Sequence, residues 1–508
     1  MNNPIHLSLR NPPQQSPRAR TGIEGLDNIL GGGLPSNQLH LIEGTPGSGK
    51  TTLGMQFLLE GLASGEKVLY ITLSESASEL HVIAASHGWS LEGVHLFQLI
   101  SDDGLKPDAE QSILHPAEIE LGETSRGLMR VIQEQKPTRV VFDSLSEMRM
   151  LAQNSLRYRR QILALKHFFA TCKCTVLLLD DKTSEAGDLQ LHSIVHGVIT
   201  LEQHLQEYGI ERRRLRVLKM RGVKFAGGAH DLRLDTGGIS VFARPVGNEH
   251  LGAAVSVQLT SGCPALDALL GGGLSSGTNT MFTGPSGIGK TTTAVSCVNA
   301  ALRRGEKAAY FLFDESLATL LSRSAALDMD LRPAINSGQI KIHPIDPAEL
   351  SPGEFAHLVR QATIADGASV VVIDSLNGYL QAMPGRQFLL LQMHELLAFL
   401  NIQGATTILI LGEHGLIGEV RTDVDLSYLS DAIVAFKFFE ARGELRKAVS
   451  VVKSRTADHE LAIREFRLGP GGLEVGLALQ DFEGVLSGLP SYRGSTPLLG
   501  GNNAAKVA

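Results

Sequence analysis

Gly44-Thr45-Pro46-Gly47-Ser48-Gly49-Lys50-Thr51-Thr52 closes a short apolar run and opens a helical one. Gly284-Pro285-Ser286-Gly287-Ile288-Gly289-Lys290-Thr291-Thr292 repeats the pattern, residue 284 standing 240 positions after residue 44. Gly-x-x-x-x-Gly-Lys-Thr is the phosphate-cradling P-loop. Its glycines let successive backbone N–H groups converge on one phosphate, and the following helix adds the positive end of its dipole. Lys50 and Lys290 would reach the β- and γ-phosphates of ATP, and the Thr51 and Thr291 hydroxyls would face Mg²⁺. Two occurrences, each after a strand and before a helix, leave little room for a chance glycine turn.

The repeat extends outward from the loops. Gly31-Gly32-Gly33-Leu34 returns as Gly271-Gly272-Gly273-Leu274, and Gly65-Glu66-Lys67 as Gly305-Glu306-Lys307, at the same offset. A period this long marks a domain duplication rather than a solenoid. The expected organisation is a polar, disordered tail over 1–19, a first ATPase domain over 20–246, and a linker over 247–257. A second domain follows over 258–490, then a disordered Gly/Ser/Asn-rich tail over 491–508. Short apolar runs predict strands at 38–43, 68–73, 94–100, 139–142 and 175–179, repeated at 278–283, 308–313, 340–345, 369–373 and 406–411. Helix-length stretches separate them, which argues for an α/β fold whose mostly parallel sheets carry helices on both faces.

The chain of 508 residues is 43% hydrophobic and carries a formal charge of −7. That balance offers no general attraction for nucleic-acid phosphate or anionic membranes. No apolar run approaches the roughly 20 residues of a membrane span. The four cysteines, Cys172, Cys174, Cys263 and Cys297, lack zinc-site spacing. They read as free thiols of a cytoplasmic protein.

A P-loop site also needs a strand-end acid near the metal's water shell. Val140-Val141-Phe142-Asp143 and Val371-Val372-Ile373-Asp374 supply it through Asp143 and Asp374. Groups to orient or activate water are expected at the end of the strand after the P-loop helix: Glu75 in the first copy, Asp314 and Glu315 in the second. Lys219 and Arg221, two apart on a strand-like run, leave one face, and Lys453 and Arg455 repeat the arrangement. No aromatic residue interleaves Arg212-Arg213-Arg214-x-Arg216, so it reads as interface or solvated charge rather than a DNA patch.

With the glycine turns, both P-loops, Gly88-Trp89, Leu218-Lys219-Met220-Arg221-Gly222 and Ala462-Ile463-Arg464-Glu465-Phe466, the chain resembles the KaiC family over about residues 20–490. The resemblance implies two tandem RecA-like P-loop domains in a nucleotide-dependent, two-tiered homohexamer with ATP between neighbouring subunits. It implies slow ATPase activity in the first domain, serine/threonine autokinase and autophosphatase activity in the second, and a role in circadian-type timing or stress signalling. The family feeds cations into a neighbour's ATP site, a role that falls on Lys219, Arg221, Lys453 and Arg455. It places paired acids at each catalytic position. Asp314-Glu315 keeps the pair, whereas Ser74 replaces the first acid beside Glu75, so first-domain hydrolysis either uses Glu75 or is much reduced. The phosphorylated pair falls on Ser427-Tyr428, with Thr422 matching a nearby family threonine. A KaiB-like protein on domain one, or a signalling histidine kinase, is an implied partner; the short neutral tail offers a KaiA-like activator no docking peptide. A RecA-like DNA-binding ATPase and a nucleotide-gated scaffold with little catalysis are the competing readings.

Overall fold

The structure is a computed structural model that describes residues 17–98, 116–152, 154–182, 190–206, 208–244, 257–381, 386–413, 426–441, 443–470, 472–486 and 491–492. The expectations for 1–16, for 247–256 of the linker, for Thr422 and for 493–508 lie outside these residues. The chain divides into two compact units, Met1–Arg244 and Pro245–Ala508.

In the first unit, strand Leu39–Gly44 leads into the P-loop and lies between the parallel strands Gly197–His204 and Thr175–Asp181. Arg139–Asp143, Val68–Thr72 and His95–Gln98 extend the parallel array on one side. On the other side, Arg212–Met220, Ala229–Asp235 and Gly238–Phe242 continue it antiparallel, making nine strands. The second unit repeats this order. Asn279–Gly284 lies between Thr406–Gly412 and Ala432–Ala441; Val370–Asp374, Ala308–Leu312 and Ile340–Pro344 follow in parallel, and Glu444–Ser454, Arg464–Gly469 and Gly472–Ala478 antiparallel.

Strand alternation explains the continuous apolar runs. Ile42, Val141, Leu177 and Leu179 pack on one face with Leu53, Phe57 and Leu58 of helix Lys50–Ala63. Leu41, Val140, Phe142 and Leu178 pack on the other with Ile162, Leu165 and Phe169 of helix Ser155–Cys172. Both faces are buried, so polar residues at every second position have no place. Gly54 lets the P-loop helix approach the sheet: a Cβ there would stand 3.0 Å from Val141.

The ordered domains reach slightly beyond the expected boundaries. Arg18–Ala19 pairs with Leu34–Pro35, and Ser491–Tyr492 with Phe482–Glu483, so neither pair belongs to a disordered tail. Two-residue strands carry no period that a sequence pattern registers. Among the described residues no helix is long and apolar enough to cross a membrane, and no cluster of His, Cys, Asp and Glu could hold a metal ion. Cys174, Cys263 and Cys297 are buried and Cys172 half-buried, all as free thiols.

Candidate active sites

Each P-loop turns at the C-terminal end of the central strand, where parallel strands of an open α/β sheet bind ligands. Gly47 (φ +80°) and Gly49 (φ +103°) take left-handed backbone that L side chains rarely adopt, and Gly287 (+76°) and Gly289 (+120°) match them. Gly49 precedes helix Lys50–Ala63 and Gly289 precedes Lys290–Arg303, neither with a side-chain cap. The N–H groups of the first turn therefore remain for an anion.

Around the first loop, Lys50 Nζ donates to the carbonyls of Gly44 (2.9 Å) and Thr45 (3.0 Å) and pairs with Asp181 at 2.7 Å. Thr51 Oγ1 donates to Asp143 Oδ2 (3.0 Å), and the buried Tyr70 hydroxyl donates to the same oxygen (2.6 Å). Burial raises the Asp143 carboxyl above its usual range against these hydrogen bonds. Glu75 follows the strand that neighbours Asp143. Its Oε2 is buried and accepts no hydrogen bond from any described residue. Burial first, then the charges of Asp143, Glu79 and Asp181, push its carboxyl up to about 7. Ser74 is exposed.

The second loop keeps the frame and changes the acids. Lys290 Nζ donates to Gly284 O (2.6 Å) and Pro285 O (2.8 Å), and burial lowers its pKa to about 8. No described carboxylate stands within ion-pair distance of it. Asp374 accepts from Tyr310 (2.7 Å) and from Thr291, and burial raises it to about 6. Ser375 Oγ donates to Asp314, while Arg323 grips Glu315 through two hydrogen bonds of 2.8 and 2.6 Å. A cavity of about 440 Å³ joins Lys290 and Thr291 to Asp314, Glu315, Arg323 and Asp374.

These observations test whether a metal-bound nucleoside triphosphate suits the residues present. The left-handed glycine cradles, uncapped helix starts and lysines at the loop mouth fit a triphosphate chain. Thr51 and Thr291, each hydrogen-bonded to a strand-end aspartate, fit a hard, oxygen-seeking cation such as Mg²⁺. Gly44, Thr45, Pro46, Ser48 and Thr52 in the first loop occupy the loop and first helical turn, as do Gly284, Pro285, Ser286, Ile288 and Thr292 in the second. Ser48 Oγ is buried without a protein partner.

The four expected trans cations lie elsewhere. Lys219 pairs in register with Val198, at the start of a strand, so it stands at the sheet end away from its own P-loop. Its Nζ donates to the carbonyls of His192 and Val195 (2.8 Å for the latter), and Arg221 donates to Ser193 O at 3.1 Å. Lys453 repeats this: it donates to Ser427 O (2.5 Å) and Ser430 O (2.7 Å), and Arg455 faces Asp431 at 3.8 Å. The backbone carbonyls just before the interior strands Gly197–His204 and Ala432–Ala441 are thus held by lysines. Ser427 and Tyr428 are exposed on the 3₁₀ turn Ser427–Leu429. The arginines at 213, 214 and 216 pair with Glu211, Asp231 and Glu202, and Arg212 is buried.

Sequence reasoning missed four contributors. Tyr70 and Tyr310 recur at the 240 offset, and that recurrence was the available signal. Asp181 ends an apolar strand beside the P-loop strand, which is a second strand-end acid. Arg323 falls where the first copy has Ile83, so only the difference between copies marks it.

Fold and site together define a tandem P-loop ATPase of RecA-like architecture. The family model described as "ATPase: KaiC" matches residues 19–246 and again 259–479. The chain belongs to this family and is a KaiC-like ATP-binding protein. It is 28% identical over 487 residues to the circadian clock oscillator protein KaiC of Prochlorococcus marinus (strain MIT 9313), covering 92% of this chain and 95% of that one. The KaiC of Parathermosynechococcus lividus is 27% identical over 489 residues (94% and 88%), and that of Nostoc sp. (strain PCC 7120 / SAG 25.82 / UTEX 2576) 27% over 493 (93% and 92%).

Proposed function

We propose that the chain hydrolyses ATP slowly in its first domain and transfers phosphate to its own Ser427 in its second, as a ring of identical subunits. The observation that carries this reading is the polarity of the second sheet. Thr280 pairs with Ala432 in parallel register, so the Ser427–Leu429 turn precedes its strand at the end opposite the P-loop after Gly284. Five or six strand residues, roughly 20 Å, separate the acceptor hydroxyl from its own subunit's phosphate site. A donor in a neighbouring copy removes that distance. Lys453, bonded to the acceptor turn, travels with it, and Lys219 and Arg221 have the matching position in domain one. A cation completed in trans is worth roughly 10³–10⁵ in phosphoryl transfer.

Within each site the residues divide the work. The P-loop amides and Lys50 or Lys290 hold the phosphates and orient the γ-phosphoryl group. Thr51 with Asp143, and Thr291 with Asp374, would hold Mg²⁺, which would supply charge neutralisation at the phosphate oxygens. In domain one, Glu75 takes the proton of the attacking water once it is ionised. In domain two, Asp314 takes the proton of the attacking hydroxyl, with Ser375 fixing its carboxylate. Tyr428 is the second candidate acceptor; its longer aryl hydroxyl sits 6.4 Å, ring to ring, from His394. Circadian-type timing or stress signalling, a KaiB-like partner on domain one and a partner histidine kinase follow from the family alone.

Intact mass and peptide mapping after incubation with Mg-ATP test the reading. Mixing Lys290→Ala subunits with Ser427→Ala/Tyr428→Phe subunits should label the Lys290→Ala chains, which supply acceptors and no donor of their own. Absence of label in the mixture, with wild type labelled, contradicts transfer between copies. A single observation favours the scaffold reading for domain one, the exposed Ser74 where the second copy has Asp314. Turnover unchanged by Lys50→Ala would favour it.

A further inference from the structure

Glu75 and Glu315 occupy equivalent positions, yet only one is held. The carboxylate of Glu315 receives both arms of the Arg323 guanidinium, at 2.8 and 2.6 Å. Arg323 stands on helix Leu317–Ala326, and the equivalent position on helix Ala77–Ser86 is Ile83, which packs against the first core. Glu75 thus keeps a buried oxygen with no described partner, and Glu315 does not. Arg323, Glu315 and Asp314 all line the cavity that contains Lys290.

We propose that Arg323 is a positioning residue that occupies both carboxylate oxygens of Glu315 and so leaves proton uptake in domain two to Asp314. A fork-to-fork arginine pair occupies both carboxylate oxygens with N–H donors and fixes their direction. Glu315 is then a poor proton acceptor although it faces the site. Asp314 holds only the Ser375 hydroxyl and is exposed to the cavity mouth. In transfer, the attacking hydroxyl oxygen bonds to the γ-phosphorus. The bond from that phosphorus to the β,γ-bridging oxygen breaks, its electron pair leaves with ADP, and the hydroxyl proton passes to Asp314. Among the described residues of domain one no cation grips Glu75, whose Oε2 is left for a proton. The difference makes the second site depend on its shorter, more exposed acid. This assignment rests on the reading of domain two as a phosphoryl-transfer site.

The test uses the full chain with Glu75→Gln silencing domain one, and reads both ADP formation and phosphate incorporation across about pH 5.5 to 9. Asp314→Asn should lower domain-two turnover by about 100-fold. Adding Arg323→Met should restore at least about fivefold of it, because Glu315 is released. Arg323→Met alone should change the shape of the pH profile, and Arg323→Lys, which keeps charge without the fork, should give a smaller gain. A gain cannot arise from misfolding; if Arg323→Met fails to fold, the Lys variant carries the same comparison. A double variant no faster than Asp314→Asn, with an unmoved pH profile in the single arginine variant, overturns the assignment. Turnover lost on Lys290→Ala alongside that result overturns only the role of Arg323. Turnover indifferent to Lys290→Ala overturns the phosphoryl-transfer reading itself, and this assignment with it.

Discussion

The two P-loop lysines rest on equivalent pairs of backbone carbonyls, but among the described residues only Lys50 meets an acid at ion-pair distance. Lys50 is ion-paired with Asp181 at 2.7 Å, whereas the strand that ends at Asp181 in the first copy ends at Gly412 in the second. There the backbone of Gly412 is tied to the Asn377 amide by bonds of 2.7 and 3.1 Å. The neighbouring acids reverse the pattern: Glu75 lacks a cation and Glu315 is gripped by one. Domain one therefore sets Asp181 on Lys50 with Asp143 nearby, and burial first, then the charges of Asp143, Glu79 and Asp181, raise the Glu75 carboxyl to about 7. Domain two spreads its charges over Lys290 and Arg323. One fold thus supports an acid poised near neutrality in one copy and a salt-bridged acid in the other.

The largest effect that can break this contrast comes from Lys290→Ala. It should abolish phosphate incorporation, a loss of about 100-fold or more, while first-domain turnover persists; labelling that survives removes the division of labour. Glu75→Gln should next remove half or more of total ATP hydrolysis, by roughly 10²-fold within domain one, and leave phosphate incorporation in place. Asp181→Gly, copying Gly412, should tighten metal-free ATP binding to domain one by up to about tenfold, since a phosphate no longer competes with a carboxylate for Lys50. Titration of a Lys290→Ala chain without Mg²⁺ reads this, and unchanged affinity would make the ion pair incidental. The smallest effect is that of Tyr310→Phe, which removes one hydrogen bond to Asp374 and should cost about 1 kcal/mol of stability. Denaturant unfolding checks it.

The duplicated domain, both P-loops and the strand-end aspartates were legible because each is written in consecutive residues with a fixed physical role. Thr51 and Asp143, 92 positions apart, were both expected at one metal site, but the hydrogen bond between them was not foreseen. Neither were Asp181 on Lys50 and Arg323 on Glu315. Their meaning arises only when strand order sets one chain end beside another, or when a helix face turns a side chain back one and a half turns. Lys219 and Lys453 were legible as paired cations. Their grip on backbone carbonyls of their own domain was not, because carbonyl partners leave no mark in side-chain sequence. Ser427-Tyr428 was singled out by family resemblance, and the sheet register puts that turn at the end opposite its own P-loop, which is the ground for the proposed transfer between copies.

The claim that the two copies use their acids differently is tested most directly by the pH dependence of ADP release from a Lys290→Ala chain, with and without Glu75→Gln. A carboxyl held up to about 7 is protonated, and unable to accept a proton, at lower pH. The account predicts a rate that rises through a midpoint near 7 and a slow, flat profile once Glu75 is Gln. A flat profile in the parent, or the same rise in the Gln variant, would contradict it.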